Sequence, residues 1–307
     1  MTVRPLGAYI GRFAPSPTGP LHLGSLVAAL ASYLDARSHS GRWLVRIEDV
    51  DATRCKAEWV TDILRTLEIF GLEWDGEVVT QTSRTARYQH ALEKLRAKGL
   101  VYACTCSRKE IGDSAIHGID GPVYRGTCRH KQNENAGHAA LRVITNDLPI
   151  AFTDRLQGKI VQSIEREIGD FVLLRKEAIF AYQLAVVVDD ALQGVTHVVR
   201  GADLLDSTAR QIYLQQLLVY TQPAYLHIPG AVNELGQKLS KQTLAEAVNS
   251  GSVQATLLAA LRFLGQDISS ASRDMAIGDL LVQAVLQWRP DAIPKRRAAD
   301  AGRVLSA

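Results

Sequence analysis

The chain has 307 residues, of which 47% are apolar and 22% are charged, and its formal net charge is +3. This composition is typical of a globular protein with a large core and two or three substructures. The sequence shows no apolar run near the ~20 residues of a membrane span and no signal-peptide core. Its net charge is too small to indicate nucleic-acid binding by itself. We expect a cytoplasmic monomer with no membrane partner.

The first predicted unit is a strand, a stiff turn and a helix. Ala8–Phe13 predicts a short buried strand, the prolines of Pro15–Pro20 predict a tight turn, and apolar spacing predicts a helix over Ser25–Arg37. Such a junction presents backbone N–H groups and a positive helix end, which suit a phosphate. We expect His22 at that point, with Gly24 letting an adenine or ribose approach the backbone. The alternative is a surface loop in which His22 is simply hydrogen-bonded.

An alternation of strands and helices follows. Trp43–Ile47 predicts a strand that leads into Glu48, and helices are predicted over Lys56–Phe70 and Arg84–Lys98. The alternation is typical of a parallel sheet, in which ligands bind beyond the carboxyl ends of the strands. Arg12 and Glu48 both lie at such ends.

The pattern changes at Val101, where Gly-rich loops and short strand-like runs begin. We interpret residues 101–180 as an inserted subdomain. The α/β pattern then resumes with predicted strands at Tyr182–Val188 and Thr196–Val199 and a helix at Ser207–Tyr220. The predicted division is 1–100 and 181–245 for the two halves of one α/β domain, and 246–307 for a short helical segment.

The inserted segment contains three cysteines within 25 residues, Cys104, Cys106 and Cys128. Three thiolates suit a structural Zn²⁺ that still needs one ligand. Tyr124 or His130 could be the fourth ligand. The alternative is three thiols without a metal.

A second candidate nucleotide-binding motif is KLSKQ at residues 238–242. The side chains of Lys238, Ser240 and Lys241 can wrap a triphosphate, and Lys241 would neutralise charge on the leaving pyrophosphate. The alternative is a solvated basic turn.

Four stretches resemble, in the same order, those of glutamyl-tRNA synthetases in the glutamate/glutamine branch of class I aminoacyl-tRNA synthetases: RFAPSPTG at 12–19, RIEDVD at 46–51, VVVDD at 186–190 and VVRGADLL at 198–205. The first of them and KLSKQ at 238–242 together resemble the two halves of a class I adenylation site. The resemblance implies an α/β fold: a class I synthetase-type Rossmann catalytic domain with an inserted zinc-containing α+β subdomain and a short C-terminal helical segment. It also implies that an amino-acid carboxylate attacks the α-phosphate of ATP, with Mg²⁺ present.

The resemblance assigns roles to individual residues. His22 and Lys241 would be catalytic. The implied ATP-binding residues are Pro15, His22, Gly24, Ser25, Lys238, Ser240 and Lys241. The implied L-glutamate-binding residues are Arg12, Phe13, Ala14, Pro15, Ser16, Glu48, Tyr182 and Arg200, with Glu48 holding the α-ammonium group. The alternatives are that Glu48 is a surface carboxylate and that Arg200 pairs with Asp203 or Asp206.

Two positions depart from the broad class I pattern. Ser25 replaces a second histidine, and Leu239 and Gln242 alter the lysine motif. Both departures are common in the glutamate branch. The pattern Cys104-x-Cys106 with Tyr124 and Cys128 resembles the zinc site of shortened members of this family.

Only 65 residues follow Gln242, too few for the anticodon-binding domain of full-length relatives. The resemblance to shortened members implies activation of glutamate without tRNA, followed by transfer to queuosine at the first anticodon position of tRNA(Asp). The inserted segment would then face the anticodon loop, and its candidate phosphate contacts are Arg108, Lys109, Arg125, Arg129 and Lys131. The alternatives are glutamylation of a tRNA 3′ end and a non-catalytic tRNA-binding paralogue.

Overall fold

The structure is a computed structural model, and it describes residues 8–114, 117–119, 121–131, 139–233, 237, 248, 252–267 and 275–301. The strands are β1 Ile10–Phe13, β2 Arg42–Ile47, β3 Val79–Thr80, β4 Val101–Cys104, β5 His117–Gly118, β6 Gly121–Pro122, β7 Ala140–Val143, β8 Pro149–Asp154, β9 Gly158–Ser163, β10 Val172–Leu174, β11 His197–Gly201, β12 Ala224–Ile228, β13 Gly230–Val232 and β14 Ala298–Asp300. The α-helices are α1 Leu23–Ser38, α2 Ala57–Ile69, α3 Thr85–Ala97, α4 Arg108–Ser114, α5 Ile164–Glu167, α6 Tyr182–Gln193, α7 Thr208–Leu218, α8 Val253–Phe263 and α9 Ile277–Leu286. Short 3₁₀ turns cover Thr82–Arg84, Ala202–Ser207 and Pro290–Ala292.

Parallel strands from both halves of the chain lie side by side. Strands β1, β2 and β3 pair in parallel, as do β11, β12 and β8. The Thr196 amide donates to the Ile10 carbonyl at 2.9 Å, and the Ile10 amide donates to Thr196 Oγ1 at 2.8 Å, so β11 begins beside β1. The carboxyl ends of these strands therefore meet at one edge.

The hairpin of β8 and β9 lies within residues 101–180 but pairs with β12 in the sheet order β11-β12-β8-β9. Strands β4, β7 and β10 form a separate antiparallel sheet, to which α4 and the cysteine-containing segment are attached. The segment predicted as an insertion thus contributes strands to three sheets, the third being the short pair of β5 and β6.

One predicted strand is a helix. Residues 182–188 begin α6, which runs from Tyr182 to Gln193 and ends at Gly194 with a left-handed backbone conformation (φ 67°). The β-branched run at 186–188 favoured a strand. However, every residue from Leu184 to Asp190 is buried, so packing outweighs the strand preference of the valines.

Helices cover both faces of the sheets. Helix α1 packs against α8 and α9, while α3, α6 and α7 pack together in a second core. No helix in the described ranges is both long and apolar enough to cross a membrane.

Asp35, on α1, ties distant parts of the chain together. Its carboxylate is fully buried and accepts hydrogen bonds from the Tyr9 hydroxyl, from Trp288 Nε1 at 2.9 Å and from both terminal nitrogens of Arg155, at 2.5 and 3.0 Å. Burial alone would raise the pKa of Asp35, but these donors, chiefly Arg155, lower it below its usual value. Asp35 therefore joins α1 to β1, to the turn after β8 and to the segment after α9.

We predict that Asp35→Asn lowers the free energy of unfolding by about 2 kcal/mol, because the buried charged acceptor of Arg155, Tyr9 and Trp288 is lost. The pKa of Asp35 is lower in the folded state, so this contribution is present above the ordinary carboxyl pKa and is lost as the pH falls through the folded-state value. Denaturant unfolding at pH 7 and at acidic pH measures the difference between variant and wild type.

The matched control is Asp291→Asn, since Asp291 also pairs with an arginine, Arg289, but both side chains are 71% exposed. We expect no measurable change for this control. Equal stability of Asp35→Asn and wild type at pH 7 would contradict the structural role of Asp35.

Candidate active site

A cavity of about 590 Å³ opens at the carboxyl ends of β1, β2 and β11. Every predicted ATP- or glutamate-binding residue that the structure describes lines it: Arg12, Phe13, Ala14, Pro15, Ser16, His22, Gly24, Ser25, Glu48, Tyr182 and Arg200. These residues come from four separate stretches of the sequence. The structure brings them together, while their individual roles stay predictions.

The N-terminus of α1 forms one wall of the cavity. His22 is its N-cap residue: its Nδ1 accepts a hydrogen bond from the Ser25 amide at 3.2 Å, and Ser25 Oγ accepts one from the His22 amide at 2.8 Å. Because Nδ1 accepts, a neutral His22 ring carries its proton on Nε2. The backbone amide of Ser25 thus fixes the tautomer of His22, while the Ser25 side chain, which departs from the broad class I pattern, caps the His22 amide.

Gly24 keeps this wall open. A Cβ at position 24 would lie 3.2 Å from His22 Nδ1 and 3.4 Å from the Ala231 side chain, tighter than ordinary packing. A larger residue would therefore push against the imidazole. That Gly24 leaves room for a ligand beside the backbone stays a prediction.

A buried ion-pair network holds the opposite wall. Asp190 Oδ1 accepts from Arg12 Nε at 3.3 Å and from an Arg46 terminal nitrogen at 2.8 Å, and Arg46 also contacts Glu48 at 3.3 Å. All four side chains are buried. The pKa of Asp190 is lowered because Arg12 and Arg46 outweigh its burial, whereas burial dominates at Glu48 and raises its pKa. A cationic group bound at Glu48 would offset that burial.

Arg200 lies at the end of β11 and is 5% exposed. Its Nε donates to His227 Nε2 at 3.0 Å, and its Nη2 donates to Thr208 Oγ1 at 2.9 Å. Within the described residues, its Nη1 is buried without a hydrogen-bond partner, and Arg200 lines the cavity. The alternative ion pairs of Arg200 with Asp203 or Asp206 are not among the salt bridges of the described chain. Asp206 pairs with Arg297 instead.

Tyr182 enters the cavity from the first turn of α6. Burial, together with the nearby Glu48 carboxylate, raises its pKa to about 12. Its hydroxyl therefore stays protonated at neutral pH and can donate a hydrogen bond.

Several residues of the site were missed from the sequence. Asp190 holds Arg12, Arg46 is completely buried among carboxylates, His227 contacts Arg200, and Arg54 lines the cavity. Asp189 and Asp190 did offer a signal, since two adjacent carboxylates follow an apolar run. His227 offered none, because it lies within the short strand AYLHI.

The lysine motif lies outside the described residues, and so do Lys238, Ser240 and Lys241. Its flanks are described. Gln237 and Asn233 are joined by reciprocal hydrogen bonds of 2.8 and 2.9 Å, and the Val248 amide donates to the carbonyl of Leu21, which lines the cavity, at 2.9 Å. The described residues before the motif, at 229–231, line the cavity, and Val248 after the motif is bonded to Leu21, next to His22.

The three predicted metal-binding cysteines lie together. The sulfur atoms of Cys104, Cys106 and Cys128 are all within 4.8 Å of one another. The Tyr124 hydroxyl lies 3.2 Å from Cys104 Sγ and 3.5 Å from Cys106 Sγ. His130 is described but does not belong to this group.

One predicted phosphate contact has another partner. Arg129 donates to both oxygens of Asp170, at 2.6 and 2.7 Å, and contacts Glu165 at 3.2 Å. Its charge is thereby neutralised within the subdomain, since Asp170 is buried. The contact of Arg129 with RNA phosphate stays a prediction. Arg108, Lys109, Arg125 and Lys131 stay candidates.

Comparison with known proteins identifies the family that the chain resembles. The profile of the family described as "tRNA synthetases class I (E and Q), catalytic domain" matches residues 10–269. The chain is 53% identical over 290 residues to a protein of Dechloromonas aromatica (94% of this chain, 96% of the relative) and 50% identical over 299 residues to one of Aromatoleum aromaticum (97% and 95%). Both relatives are named glutamyl-Q tRNA(Asp) synthetase.

The fold agrees with a solved structure. A crystal structure of a glutamate tRNA ligase from Elizabethkingia meningosepticum, in complex with its amino acid, superposes with a TM-score of 0.78 at 21% identity. The match covers 96% of this chain and 68% of that one, and it shows the α/β class I fold alone. The family model and the relatives that match nearly the whole chain show more than the fold. The chain belongs to the glutamyl-Q tRNA(Asp) synthetase family, whose members are ligases of the class I aminoacyl-tRNA synthetase type.

Proposed function

We propose that the protein activates L-glutamate with ATP in the absence of tRNA and transfers the glutamyl group to queuosine in tRNA(Asp). The observation that carries this proposal is the single cavity in which Arg12, Glu48 and Arg200 lie beside the capped N-terminus of α1. One part of that cavity suits an acidic amino acid, and the other suits a phosphate.

The charges of the cavity complement glutamate. Arg200 Nη1 is a buried donor with no hydrogen-bond partner in the described residues, which suits a substrate carboxylate. Glu48 is a buried acceptor whose pKa falls when an ammonium group binds nearby. Arg12, held by Asp190, supplies a second guanidinium at the end of β1. Two guanidinium groups and one carboxylate match the two carboxylates and one ammonium of the substrate.

ATP is proposed to bind at the other side, with its phosphates at the N-terminus of α1 and near His22. Mg²⁺ would accompany the triphosphate and shield its charge. The α-carboxylate of glutamate attacks the α-phosphorus while the bond to the β-phosphate breaks, releasing pyrophosphate. Lys238, Ser240 and Lys241 are proposed to contact the phosphates. This is supported by the attachment of Val248 to Leu21, beside His22.

The second step is proposed to use a hydroxyl of the cyclopentene-diol of queuosine. Its oxygen attacks the acyl carbon of the glutamyl adenylate, AMP leaves, and the hydroxyl proton is released. The relatives from Dechloromonas aromatica and Aromatoleum aromaticum are named glutamyl-Q tRNA(Asp) synthetase, and this name supports queuosine as the acceptor. Arg108, Lys109, Arg125 and Lys131, all on the cysteine-containing segment, are proposed to contact RNA phosphates.

Structural Zn²⁺ is proposed at Cys104, Cys106, Tyr124 and Cys128. Sulfur atoms bound to one Zn²⁺ at ~2.3 Å lie about 3.8 Å apart, and the Cys106–Cys128 sulfur distance is already 3.5 Å. The Tyr124 hydroxyl is close enough to supply the oxygen ligand, so the geometry favours Tyr124 over His130. A bound ion would fix the end of β4 to the segment around Cys128.

We predict that the purified protein catalyses glutamate-dependent exchange of labelled pyrophosphate into ATP with no tRNA present. Aspartate and glutamine should support exchange at least ~10-fold less efficiently, because each leaves a buried charged group of the site unpaired or misplaced. Absence of exchange without tRNA would overturn tRNA-independent activation.

The same assay tests the lysine motif. Lys241→Ala should slow exchange by about 10²-fold, because one preorganised cation opposite the developing charge is lost, with little change in glutamate binding measured by calorimetry. The matched control is Lys56→Ala, since Lys56 is 68% exposed beside Glu58. If the exchange rate of Lys241→Ala equals that of Lys56→Ala, Lys241 has no part in the reaction.

The acceptor is tested with tRNA(Asp) that carries queuosine and lacks its 3′-terminal adenosine. We expect glutamate acceptance equal to that of intact tRNA, because the acceptor hydroxyl lies on the anticodon base. The control is tRNA(Asp) with an unmodified guanine at that position, which should accept no glutamate. Loss of acceptance on trimming would identify the protein as an enzyme that charges the tRNA 3′ end.

A further inference from the structure

The Arg200 guanidinium is held by His227 and Thr208, which lie outside every motif named in the sequence analysis. Two of its three guanidinium nitrogens donate to protein acceptors: Nε to His227 Nε2 at 3.0 Å and Nη2 to Thr208 Oγ1 at 2.9 Å. The buried third nitrogen, Nη1, has no such partner in the described part of the chain. The orientation of Nη1 therefore depends on the acceptors at the other two positions.

His227 can accept this hydrogen bond in only one protonation state. Arg200 always carries its protons, so His227 Nε2 must be unprotonated. The single ring proton then lies on Nδ1, which is 2.7 Å from Asp154 Oδ2. Burial lowers the pKa of His227 to about 4, with Arg200 adding to the effect and Asp154 opposing it, so the ring is neutral at pH 7.

Asp154 is fixed as an acceptor by the backbone around it. Its Oδ1 accepts from the amides of Leu156 at 3.0 Å and Gln157 at 2.8 Å, and both of its oxygens lie within 3.2 Å of the His227 amide. Its side chain is fully buried. Burial would raise its pKa, but the donors, chiefly His227 and the backbone amides, lower it. Asp154 therefore stays ionised and can only accept from His227 Nδ1.

We propose that Asp154 and His227 are positioning residues for recognition of the substrate carboxylate by Arg200. Asp154 fixes the His227 tautomer, the tautomer provides the acceptor for Arg200 Nε, and this contact fixes the orientation of the Arg200 guanidinium, whose residue lines the cavity. The proposal rests on the proposed function, because it assumes that Arg200 binds an acidic amino acid. Affinity for that substrate then depends on a carboxylate that never touches it.

This chain of hydrogen bonds predicts that Asp154→Asn, which replaces one oxygen by nitrogen, changes the His227 tautomer and through it the position of Arg200. In Asp154→Asn, an amide NH₂ placed opposite Nδ1 favours the tautomer with its proton on Nε2. Two donors, His227 Nε2–H and Arg200 Nε–H, would then face each other at 3.0 Å. The protonated Nε2 would donate instead to Thr208 Oγ1, 3.2 Å away, so Arg200 loses the acceptor at Nε and its alignment with the substrate weakens.

The experiment measures pyrophosphate exchange, glutamate binding by calorimetry and the ¹⁵N shifts of His227 in full-length wild type and variants. We expect Asp154→Asn and His227→Leu to raise the KM for glutamate ~10- to 100-fold, the effect of losing a hydrogen bond to a charged group. The KM for ATP should change less than about twofold, because the ATP contacts at His22 are untouched. His227→Gln should fall within about threefold of wild type, since its amide can accept from Arg200 and donate to Asp154.

The matched control is Tyr225→Phe, two residues before His227 on β12. It removes one buried hydrogen bond, from Gln215 at 3.1 Å, and keeps the ring beneath Arg200. Its KM for glutamate should equal that of wild type. If Asp154→Asn does not fold, the pair His227→Gln and His227→Leu decides the matter, and equal glutamate KM values for that pair overturn the proposal.

The ¹⁵N spectrum separates this proposal from the proposed function. Wild type should show His227 with Nδ1 protonated and Nε2 unprotonated at pH 7, whether or not the protein is active. A protonated Nε2 in wild type would overturn the positioning role. Wild type that shows this tautomer but neither binds glutamate nor supports exchange would instead refute the proposed function.

Discussion

The burial of Arg46 is the constraint on which the site depends. This guanidinium is completely buried on β2, and it is tolerated there because Asp190, Glu48 and Asp189 lie around it at 2.8, 3.3 and 3.9 Å. An unpaired charge in this position would cost several kcal/mol. The same carboxylates also set the positions of the cavity residues, because Asp190 holds Arg12 and Glu48 itself lines the wall. The ion pairs that make the buried Arg46 stable thus also hold the residues proposed to recognise the substrate.

The sheet explains why residues so distant in sequence meet. Arg12, Glu48 and Arg200 each follow or end a parallel strand, and strand order alone brings their side chains to one edge. This part was predictable, because the strand-to-helix patterns of the first hundred residues are local and regular. The observed β1, α1, β2, α2 and α3 differ from the predicted bounds by only one or two residues at most ends. The pairing of β12 with β8 was not predictable, since it joins short segments about seventy residues apart.

Asp154 and His227, which hold Arg200 in position, cannot be recognised from the sequence. His227 and Asp154 belong to ordinary strands, and only burial and hydrogen bonding distinguish them from structural residues. The proximity of Tyr124 to the cysteines is likewise visible only in three dimensions, because Tyr124 and His130 both lie near the cysteines in sequence. The Tyr124 hydroxyl lies 3.2 Å from Cys104 Sγ and 3.5 Å from Cys106 Sγ, and its part in a zinc site stays a proposal.

The hairpin of β8 and β9 connects the intervening segment directly to the groups around Arg200 at the cavity. Strand β8 pairs with β12 beside Arg200, and Asp154 at its end accepts from both the His227 amide and the His227 ring. The cysteine-containing part of the same segment is anchored through Asp170, which accepts from Arg129 and Tyr102. Residues 139–174 therefore lie between the proposed RNA-facing surface and the groups behind Arg200. Both ends of this connection are buried carboxylates, Asp154 and Asp170, and each is satisfied by several hydrogen-bond donors of the same chain, as a buried charge requires.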